Sequence, residues 1–349
     1  MNEKGIKLYD KSDMRKLLLN FSTQVAEAVK IGGSAKLKIK RESVKNIVIT
    51  GLGGSAIGGD LVRSYLAGEL KIPFVVNRHY FLPEFVDKNS LVVVSSYSGN
   101  TEETIAAHKD AVKRGAQVLC ISSNGETERI AKKYGHSFIK IPSGLPPRAA
   151  LGYSFFPILM CLIKLKFIKP RNNDIKETIL LLKRKGKVFS SLNYKKNPAL
   201  LLAQNLYGKL PIIYSSADRF DSVNIRWRGQ LSENAKILAY GNTLPEMNHN
   251  ELVGWKVLRK AMSGMVVIFL KDKDNHQRVQ LRMKIMDGIV RDFASNVIHV
   301  NSEGVSLLAR MFSLIYLGDW TSYYLAVFNG VDPTPVRIID YLKNELSKI

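Results

Sequence analysis

Apolar and polar residues alternate along the chain in the way that strands followed by helices require. Short runs rich in β-branched residues predict strands, and stretches with helical spacing follow them. In the first half, we predict strands at residues 44–50, 91–95, 117–121 and 137–141, and helices at residues 56–67, 101–114 and 126–133. This alternation predicts a mainly parallel sheet flanked by helices.

The same alternation returns in the second half of the chain. We predict strands at residues 210–215, 236–240, 265–270 and 297–300, and helices at residues 219–234, 251–262 and 275–293. The fold class is therefore α/β, with two domains that each contain a mainly parallel sheet. We place the domains at residues 1–165 and 166–349, the second ending in helices. Ligands of such sheets bind at the carboxyl ends of the strands, where the two halves could share one cleft.

The composition is that of a globular protein with a strongly basic surface. Of the 349 residues, 46% are hydrophobic, and the 52 Lys and Arg against 30 Asp and Glu give a formal net charge of +22. Such a charge attracts anions, from small phosphates to nucleic acids. The basic residues are scattered and carry no RNA-binding signature, so nucleic acid is not an expected partner.

Neither a membrane nor a metal is expected as a partner. The N-terminus lacks the apolar core of a signal peptide, and the most apolar run, residues 155–163, contains Pro157 and is too short for a membrane span. Cys120 and Cys161 lie in apolar runs, which indicates buried thiols in a reducing cytoplasm. The six histidines are dispersed without paired ligand spacing, so we predict no metal site.

A glycine-rich turn follows the first predicted strand. The segment Gly51-Leu-Gly-Gly54-Ser55-Ala-Ile-Gly-Gly opens a helix, so its backbone N–H groups can approach a ligand at the positive helix end. Gly54 and Ser55 are therefore candidate binding residues. A dinucleotide site is an alternative, but no convincing acidic ribose ligand follows the next strand. A tight turn that only packs the helix closely is the other alternative.

A hydroxyl-rich segment follows the predicted strand at residues 91–95. In Ser95-Ser96-Tyr97-Ser98-Gly99-Asn100-Thr101, the hydroxyls of Ser96, Ser98 and Thr101 cluster where a strand gives way to a helix. Hydroxyls and backbone N–H groups placed there can bind a phosphate monoester, and the helix dipole favours its charge. Helix capping by Ser98 or Thr101 is the alternative, and it is compatible with phosphate binding.

These two segments resemble the phosphosugar-binding domains of the sugar isomerase (SIS) family. Three further motifs narrow the resemblance: Gly144-Leu-Pro-Pro-Arg148-Ala-Ala, Arg226-Trp-Arg-Gly-Gln-Leu-Ser-Glu233-Asn-Ala-Lys and Pro245-Glu-Met-Asn-His249-Asn-Glu-Leu. Together they resemble the archaeal-type bifunctional phosphoglucose/phosphomannose isomerases. The resemblance implies two SIS-type domains, no cofactor, and a homodimer whose subunits share active sites.

The resemblance also implies roles for particular residues. A glutamate of that family transfers the proton, an arginine supports the negative oxygens of the intermediate, and a histidine of the neighbouring subunit helps to open the sugar ring. The corresponding residues are Glu233, Arg148 and His249, with Lys343 as the best match to a lysine that assists ring opening. The implied phosphate contacts are Ser96, Ser98 and Thr101, with Gly54 and Ser55 in the same site; Thr334 is a candidate for the threonine that makes room for mannose chemistry.

The residue chemistry supports an isomerase independently of the resemblance. Aldose–ketose isomerisation moves a proton between C2 and C1 through a cis-enediol, so one carboxylate that acts first as base and then as acid is sufficient. Glu233 lies near Arg226, Arg228 and Lys236, a basic stretch that suits a phosphorylated substrate. We therefore expect interconversion of glucose 6-phosphate or mannose 6-phosphate with fructose 6-phosphate.

Two other classes of protein are alternatives. A non-catalytic phosphosugar-sensing regulator would share the hydroxyl-rich segment, but it would not need Arg148, Glu233 and His249 together, and no helix-turn-helix domain is evident before the first strand. A glucosamine phosphate synthase of the amidotransferase type would need an N-terminal nucleophile, whereas residue 2 is Asn and no early Cys follows it.

Overall fold

Nine strands form two parallel sheets in the residues that the structure describes, 1–217, 219–346 and 348. In this computed structural model the strands are β1 (Asn46–Thr50), β2 (Phe74–Asn77), β3 (Ser90–Ser95), β4 (Gln117–Ser122), β5 (Ser137–Lys140), β6 (Leu210–Ser216), β7 (Tyr240–Leu244), β8 (Met265–Lys271) and β9 (Asn296–Asn301). The strand orders are β2-β1-β3-β4-β5 and β7-β6-β8-β9. The predicted α/β fold class, with two parallel sheets flanked by helices, is confirmed.

Helices follow most strands, as the sequence pattern predicts. They are α1 (Glu3–Tyr9), α2 (Met14–Leu19), α3 (Phe21–Ser34), α4 (Gly53–Leu66), α5 (Glu102–Lys113), α6 (Gly125–Tyr134), α7 (Leu151–Lys164), α8 (Asn172–Phe189), α9 (Pro198–Leu206), α10 (Asp221–Ala235), α11 (Arg259–Met262), α12 (Gln277–Val290), α13 (Leu307–Phe328) and α14 (Arg337–Leu346). Short 3₁₀ turns lie at Arg41–Ser43, Pro147–Ala149, Glu246–His249 and Glu251–Gly254. None of the described helices is both long and apolar enough to cross a membrane.

Residue contacts divide the chain into two units, each containing one sheet. The first unit contains Asn20–Leu180 and Ser306–Leu308, and the second contains Met1–Leu19, Leu181–Val305 and Ala309–Ile349. The chain therefore passes from the first unit to the second within α8. The domain limits placed at residues 1–165 and 166–349 stay a prediction.

The central strands of the first sheet are apolar because both of their faces are covered. All six residues of β3 are buried, as are the last four of β1, the pattern expected of a parallel sheet with helices on both sides. Ala107 and Ala111 of α5 pack against Val92 and Val94 of β3. This packing fixes where α5 begins relative to the carboxyl end of β3.

The second unit has a core of aromatic and sulfur-containing side chains. Tyr214 of β6 and Phe269 of β8 lie in one buried cluster with Met283 and Met286 of α12. The long helix α13 adds the fully buried Trp320, whose neighbours Tyr323 and Tyr324 pack around it in edge and tilted geometries. Met247, in the 3₁₀ turn that ends at His249, belongs to the same cluster, so this core supports that turn.

Two predictions for the second half of the chain are wrong. The strand predicted at residues 236–240 is displaced to β7, because Lys236 adopts a left-handed conformation with φ of 59° and residues 236–239 only connect α10 to the strand. The helix predicted at residues 251–262 is a 3₁₀ turn, Glu251–Gly254, followed by the four-residue helix α11. The pattern also gave no indication of β2 or of helices α1 to α3.

Candidate active site

The glycine turn (residues 51–54) and the serine loop (residues 95–101) leave the first sheet side by side. Strands β1 and β3 are parallel neighbours, with Thr50 opposite Val94. The segments that follow them therefore leave the sheet at the same edge, the one formed by the carboxyl ends of the strands. A Cβ at Gly51 would lie 2.6 Å from the carbonyl oxygen of Ser95, closer than any side chain permits. Glycine at position 51 therefore allows the two segments to touch.

Hydroxyl groups hold the serine loop against the start of α4. The backbone N–H of Tyr97 donates to Ser55 Oγ at 3.0 Å, and Ser95 Oγ donates to the Ser55 carbonyl at 3.3 Å. Within the loop, Ser96 Oγ donates to Thr101 Oγ1 at 3.2 Å and accepts from the N–H of Gly99 at 3.1 Å. Ser55 and Ser96 are buried, whereas Ser98 is exposed.

Two helix N-termini open at this edge without a side-chain cap. Leu52 is the N-cap residue of α4 and Thr101 that of α5, and neither makes a capping hydrogen bond with its side chain. Ser98 Oγ instead accepts from the N–H of Asn100 at 3.3 Å. The capping alternative is therefore wrong for both Thr101 and Ser98. Uncapped N-termini carry partial positive charge and N–H groups that suit an anion.

Arg148 lies beside the glycine turn. A Cβ at Gly54 would lie 2.7 Å from the carbonyl group of Pro147 and 3.0 Å from the N–H nitrogen of Arg148, so the absence of a side chain at Gly54 allows the 3₁₀ turn to approach. The N–H of Leu145 donates to the hydroxyl of Tyr97 at 2.9 Å and links this segment to the serine loop. Arg148 itself is buried. The first unit thus brings Arg148 together with the predicted phosphate contacts.

Glu233 lies in the last turn of α10 and is half-buried. The left-handed residue Lys236 ends this helix, and its ammonium group donates to the carbonyl of Pro335 at 2.6 Å. Arg226 is not the substrate-facing cation that the basic stretch suggested. It is buried, and its guanidinium forms an ion pair with Asp319 of α13 at 2.9 Å.

His249 is exposed at the end of a 3₁₀ turn in the histidine loop (residues 245–255). The carboxylate of Glu251 anchors this loop, because it accepts hydrogen bonds from the hydroxyls of Tyr214 and Tyr240 and from Asn242 Nδ2, the last at 2.7 Å. Trp255 Nε1 donates in turn to the Tyr214 hydroxyl at 3.0 Å. Burial next to this carboxylate raises the pKa of Tyr214, which keeps it a proton donor.

The remaining predicted residues lie near the C-terminus of the second unit. Lys343 is exposed on α14, a helix with no buried residue among those described. Thr334 precedes this helix, and its N–H donates to Asp332 Oδ1 at 2.9 Å. Glu233, His249 and Lys343 thus lie on three different elements of the second unit.

Sequence reasoning missed three residues that organise these segments. Tyr97 links Ser55 to Leu145, and Glu251 with Tyr214 anchors the histidine loop. Tyr97 lies inside the serine-rich motif and Glu251 two residues after His249, so both stood within motifs already identified. Nothing in the sequence indicated a role for Tyr214, since it lies within a predicted strand and has no motif around it.

Comparison with known proteins places the chain in a family. A model of the SIS domain matches residues 42–142, and a model of the bacterial phospho-glucose isomerase C-terminal SIS domain matches residues 195–346. A bifunctional phosphoglucose/phosphomannose isomerase of Caldicellulosiruptor bescii is 45% identical over 95% of this chain and 98% of its own. The chain belongs to the bifunctional phosphoglucose/phosphomannose isomerase family.

A second relative agrees with this assignment, and a solved structure shares the fold. The Aquifex aeolicus member of the family is 38% identical to this isomerase over 87% of this chain and 91% of its own. A glucose-6-phosphate isomerase like protein from Thermus thermophilus shares the fold, with a TM-score of 0.66 at 18% identity over 95% of this chain and 96% of that one. The roles of Glu233, His249, Arg148 and Lys343 in this isomerase stay predictions, because these comparisons identify no catalytic residue.

Proposed function

We propose that this isomerase interconverts both glucose 6-phosphate and mannose 6-phosphate with fructose 6-phosphate, without a cofactor. The observation that carries the proposal is the edge of the first sheet, where two uncapped helix N-termini, the serine loop and a buried arginine meet. A phosphate monoester has the charge and the acceptor oxygens that such a site satisfies. The sugar ring would then extend from an anchored phosphate.

Phosphate binding would use backbone and hydroxyl donors together. The N–H groups at the start of α4 and α5 lack the intrahelical acceptors that later turns provide, although the N–H of Ser55 donates to the Leu52 carbonyl at 3.0 Å. Ser98 is exposed and can turn towards a ligand, whereas Ser96 and Thr101 shape the loop through their mutual hydrogen bond. Gly54 and Ser55 would complete the site from the neighbouring helix.

Proton transfer would depend on Glu233. As base, its carboxylate removes the proton from C2 of the aldose phosphate; as acid, it returns a proton to C1 of the cis-enediol. The two aldoses differ only in configuration at C2, and the enediol erases that difference, so one carboxylate can serve both. The guanidinium of Arg148, held in place by burial, would stabilise negative charge on the intermediate's oxygens.

Ring opening would require a separate proton donor and acceptor, for which we propose His249 with the help of Lys343. An imidazole exchanges protons near neutral pH, as the ring oxygen and the anomeric hydroxyl require. His249 is exposed in its own chain, although Glu251 anchors its loop. An ordered but exposed histidine is suited to complete the active site of a neighbouring subunit.

We further propose that the enzyme is a cytoplasmic homodimer. Three segments of the second unit expose large apolar side chains, as subunit interfaces do. They are Val253, Val257 and Leu258 after His249; Leu281, Ile285 and Ile289 along α12; and Ile338, Tyr341 and Leu342 on α14. The two cysteines are buried free thiols, which suits a reducing compartment.

The test is to assay purified protein with fructose 6-phosphate in D₂O and to follow both aldose phosphates. An enediol exchanges its transferred proton with solvent, so we expect deuterium at C2 of both products. Glu233→Gln keeps the size of the side chain but cannot take up the proton. We expect it to lower kcat for both aldoses by about 10²–10⁴-fold, the usual contribution of a general base, with KM nearly unchanged.

The matched control is Glu246→Gln, which alters an exposed glutamate of the histidine loop and should keep both activities. Loss of only the glucose reaction in Glu233→Gln would contradict a single base for both aldoses. Binding of fructose 6-phosphate without any turnover by the wild-type protein would favour a phosphosugar-sensing regulator instead.

A further inference from the structure

Three side chains that commonly bind metals meet on a helix-covered face of the first sheet. His108 lies on α5, Cys120 in β4, and His136 just before β5. His108 Nε2 lies 3.1 Å from His136 Nδ1 and 3.6 Å from Cys120 Sγ. The three ligand atoms all lie within 4.8 Å of one another. Among the residues that the structure describes, no other group of three or more histidine, cysteine or acidic side chains has this spacing.

The two separations that involve His108 are close to those between the ligands of a tetrahedral zinc ion. Bonds of about 2.0–2.1 Å to nitrogen and about 2.3 Å to sulfur place two nitrogens about 3.4 Å apart, and nitrogen and sulfur about 3.6 Å apart. The His108–Cys120 distance fits this value, and the two histidine nitrogens lie slightly closer. Binding would draw the two histidine nitrogens slightly apart, and the ligand atoms of Cys120 and His136 already lie within 4.8 Å of each other.

Zinc can bind here without leaving an isolated buried charge. Imidazoles bind zinc as neutral ligands, and zinc displaces the proton of a thiol when it binds. The carboxylate of Glu126 acts electrostatically on His108 and would partly balance the remaining positive charge.

The cluster is also within reach of solvent. His108 and Cys120 are fully buried, but His136 is half-buried and stacks on Tyr134, with ring centroids 5.8 Å apart. Tyr134 is itself half exposed. The half-buried His136 therefore marks the side from which an ion and a water ligand would reach the cluster.

The dispersed sequence positions of the histidines predicted no metal site, but the fold brings two of them beside Cys120. We propose that His108, Cys120 and His136 bind one zinc ion, with water as the fourth ligand. The ion would connect α5 to the strand β4 and to the turn before β5. This site is separate from the candidate active site, since His108 lies seven residues beyond Thr101, about 10 Å along the helix axis at 1.5 Å per residue. Its position indicates a structural role: it would anchor the helix whose N-terminus faces the serine loop.

The experiment titrates chelator-treated full-length protein with Co²⁺, a spectroscopic substitute for zinc. Saturation at one equivalent is expected, with a near-ultraviolet thiolate-to-cobalt charge-transfer band that Zn²⁺ abolishes. Cys120→Ala should lose the band, and His136→Ala should bind roughly 100-fold more weakly or worse, since even partners of metal ligands contribute about 10–100-fold. The matched control is Cys161→Ala, which removes the other buried thiol, on α7, and should keep the band.

Thermal unfolding separates loss of the site from loss of the fold. Zn²⁺ should raise the Tm of the wild type and of Cys161→Ala but not that of His136→Ala, a change at a half-buried position that the fold should tolerate. Wild-type protein that binds no Co²⁺ saturably, or binds it without a thiolate band, would overturn the proposal. A thiolate band lost in Cys161→Ala and kept in Cys120→Ala would overturn it equally. None of these results depends on the isomerase activity.

Discussion

At Gly99 the serine loop touches its neighbour so closely that only glycine fits. Its φ is +72°, and a Cβ there would lie 1.7 Å from the carbonyl oxygen of Asn124. The carbonyl of Gly99 accepts from the N–H of Thr127 at 3.0 Å, which joins the loop to α6. The shape of the loop, and with it the proposed phosphate site, therefore depends on the missing side chain at position 99.

We predict that Gly99→Ala raises the KM for fructose 6-phosphate by roughly tenfold or more, because the displaced loop loses contacts that bind substrate and transition state alike. Gly115→Ala is the matched control, since Gly115 has a similar φ of +67° but a Cβ at that position would have no neighbouring atom within 4 Å. It should cost only the strain of a left-handed alanine, about 1–2 kcal/mol, with KM unchanged. Enzyme kinetics and thermal unfolding of both variants test the predicted rise in KM. A folded Gly99→Ala variant with the wild-type KM would contradict the prediction.

Individual residues also differ in whether their place in the site could be predicted from the sequence. Ser96, Ser98 and Thr101 are close in sequence, so their clustering was predictable. Arg226 belongs to the same kind of local motif, but its partner Asp319 lies 93 residues away. Only the fold shows that this arginine is buried in an ion pair instead of facing a substrate.

At the scale of elements, the inner strands and the edge strands β5 and β9 were predictable, whereas the edge strand β2 was missed and the edge strand β7 was misplaced. The inner strands β1, β3, β4, β6 and β8 are apolar on both faces, which the sequence shows directly. Strand β7 pairs with β6 alone and contains Gly241, Asn242 and Thr243. An edge strand needs no apolar run, so the apolar residues just before it were mistaken for the strand.

The histidine loop is the element in which prediction failed and which most affects the proposed site. Its irregular path is stabilised by hydrogen bonds that Glu251 accepts from Tyr214, Tyr240 and Asn242. These donors lie on β6 and β7, outside the range of a helical pattern. A sequence period of 3.6 residues carries no information about such contacts.

We predict that Glu251→Gln lowers kcat because the loop that carries His249 becomes less ordered. The amide offers one oxygen where the carboxylate offers two, so a buried donor such as the Tyr214 hydroxyl loses its partner at a cost of about 1–3 kcal/mol. Tyr240→Phe removes one donor at an exposed position and should have a smaller effect on both kcat and Tm. If Glu251→Gln lowered Tm but kept the wild-type kcat, the hydrogen bonds that Glu251 accepts would stabilise the fold without positioning His249.

At the scale of the whole molecule, the alternation of strands and helices predicted two parallel sheets, but the grouping of distant segments could not be inferred. Residues 1–19 group with the second unit, and the hydroxyl of Tyr316 donates to the carbonyl of Leu18 at 2.8 Å across 298 residues. Pairings of this kind depend on tertiary packing and leave no periodic pattern in either segment.

The proposed homodimer predicts that a complete active site contains residues of both subunits. Exposed apolar residues lie in and just after the histidine loop, at Val253, Val257 and Leu258. Burying them against a second copy would carry His249 towards that copy. Each active site would then combine Glu233 of one chain with His249 of the other.

Co-expression of Glu233→Gln and His249→Ala chains should therefore restore activity that neither homodimer has. Random pairing makes half of the dimers mixed, and each mixed dimer contains one intact composite site out of two, so about a quarter of the wild-type activity is expected. The matched control pairs His249→Ala with the double variant, which forms the same mixed dimers but no intact site. Two different affinity tags verify the mixing. Mixed dimers without recovered activity would show that each chain completes its own site, and the exposed position of His249 would then need another explanation.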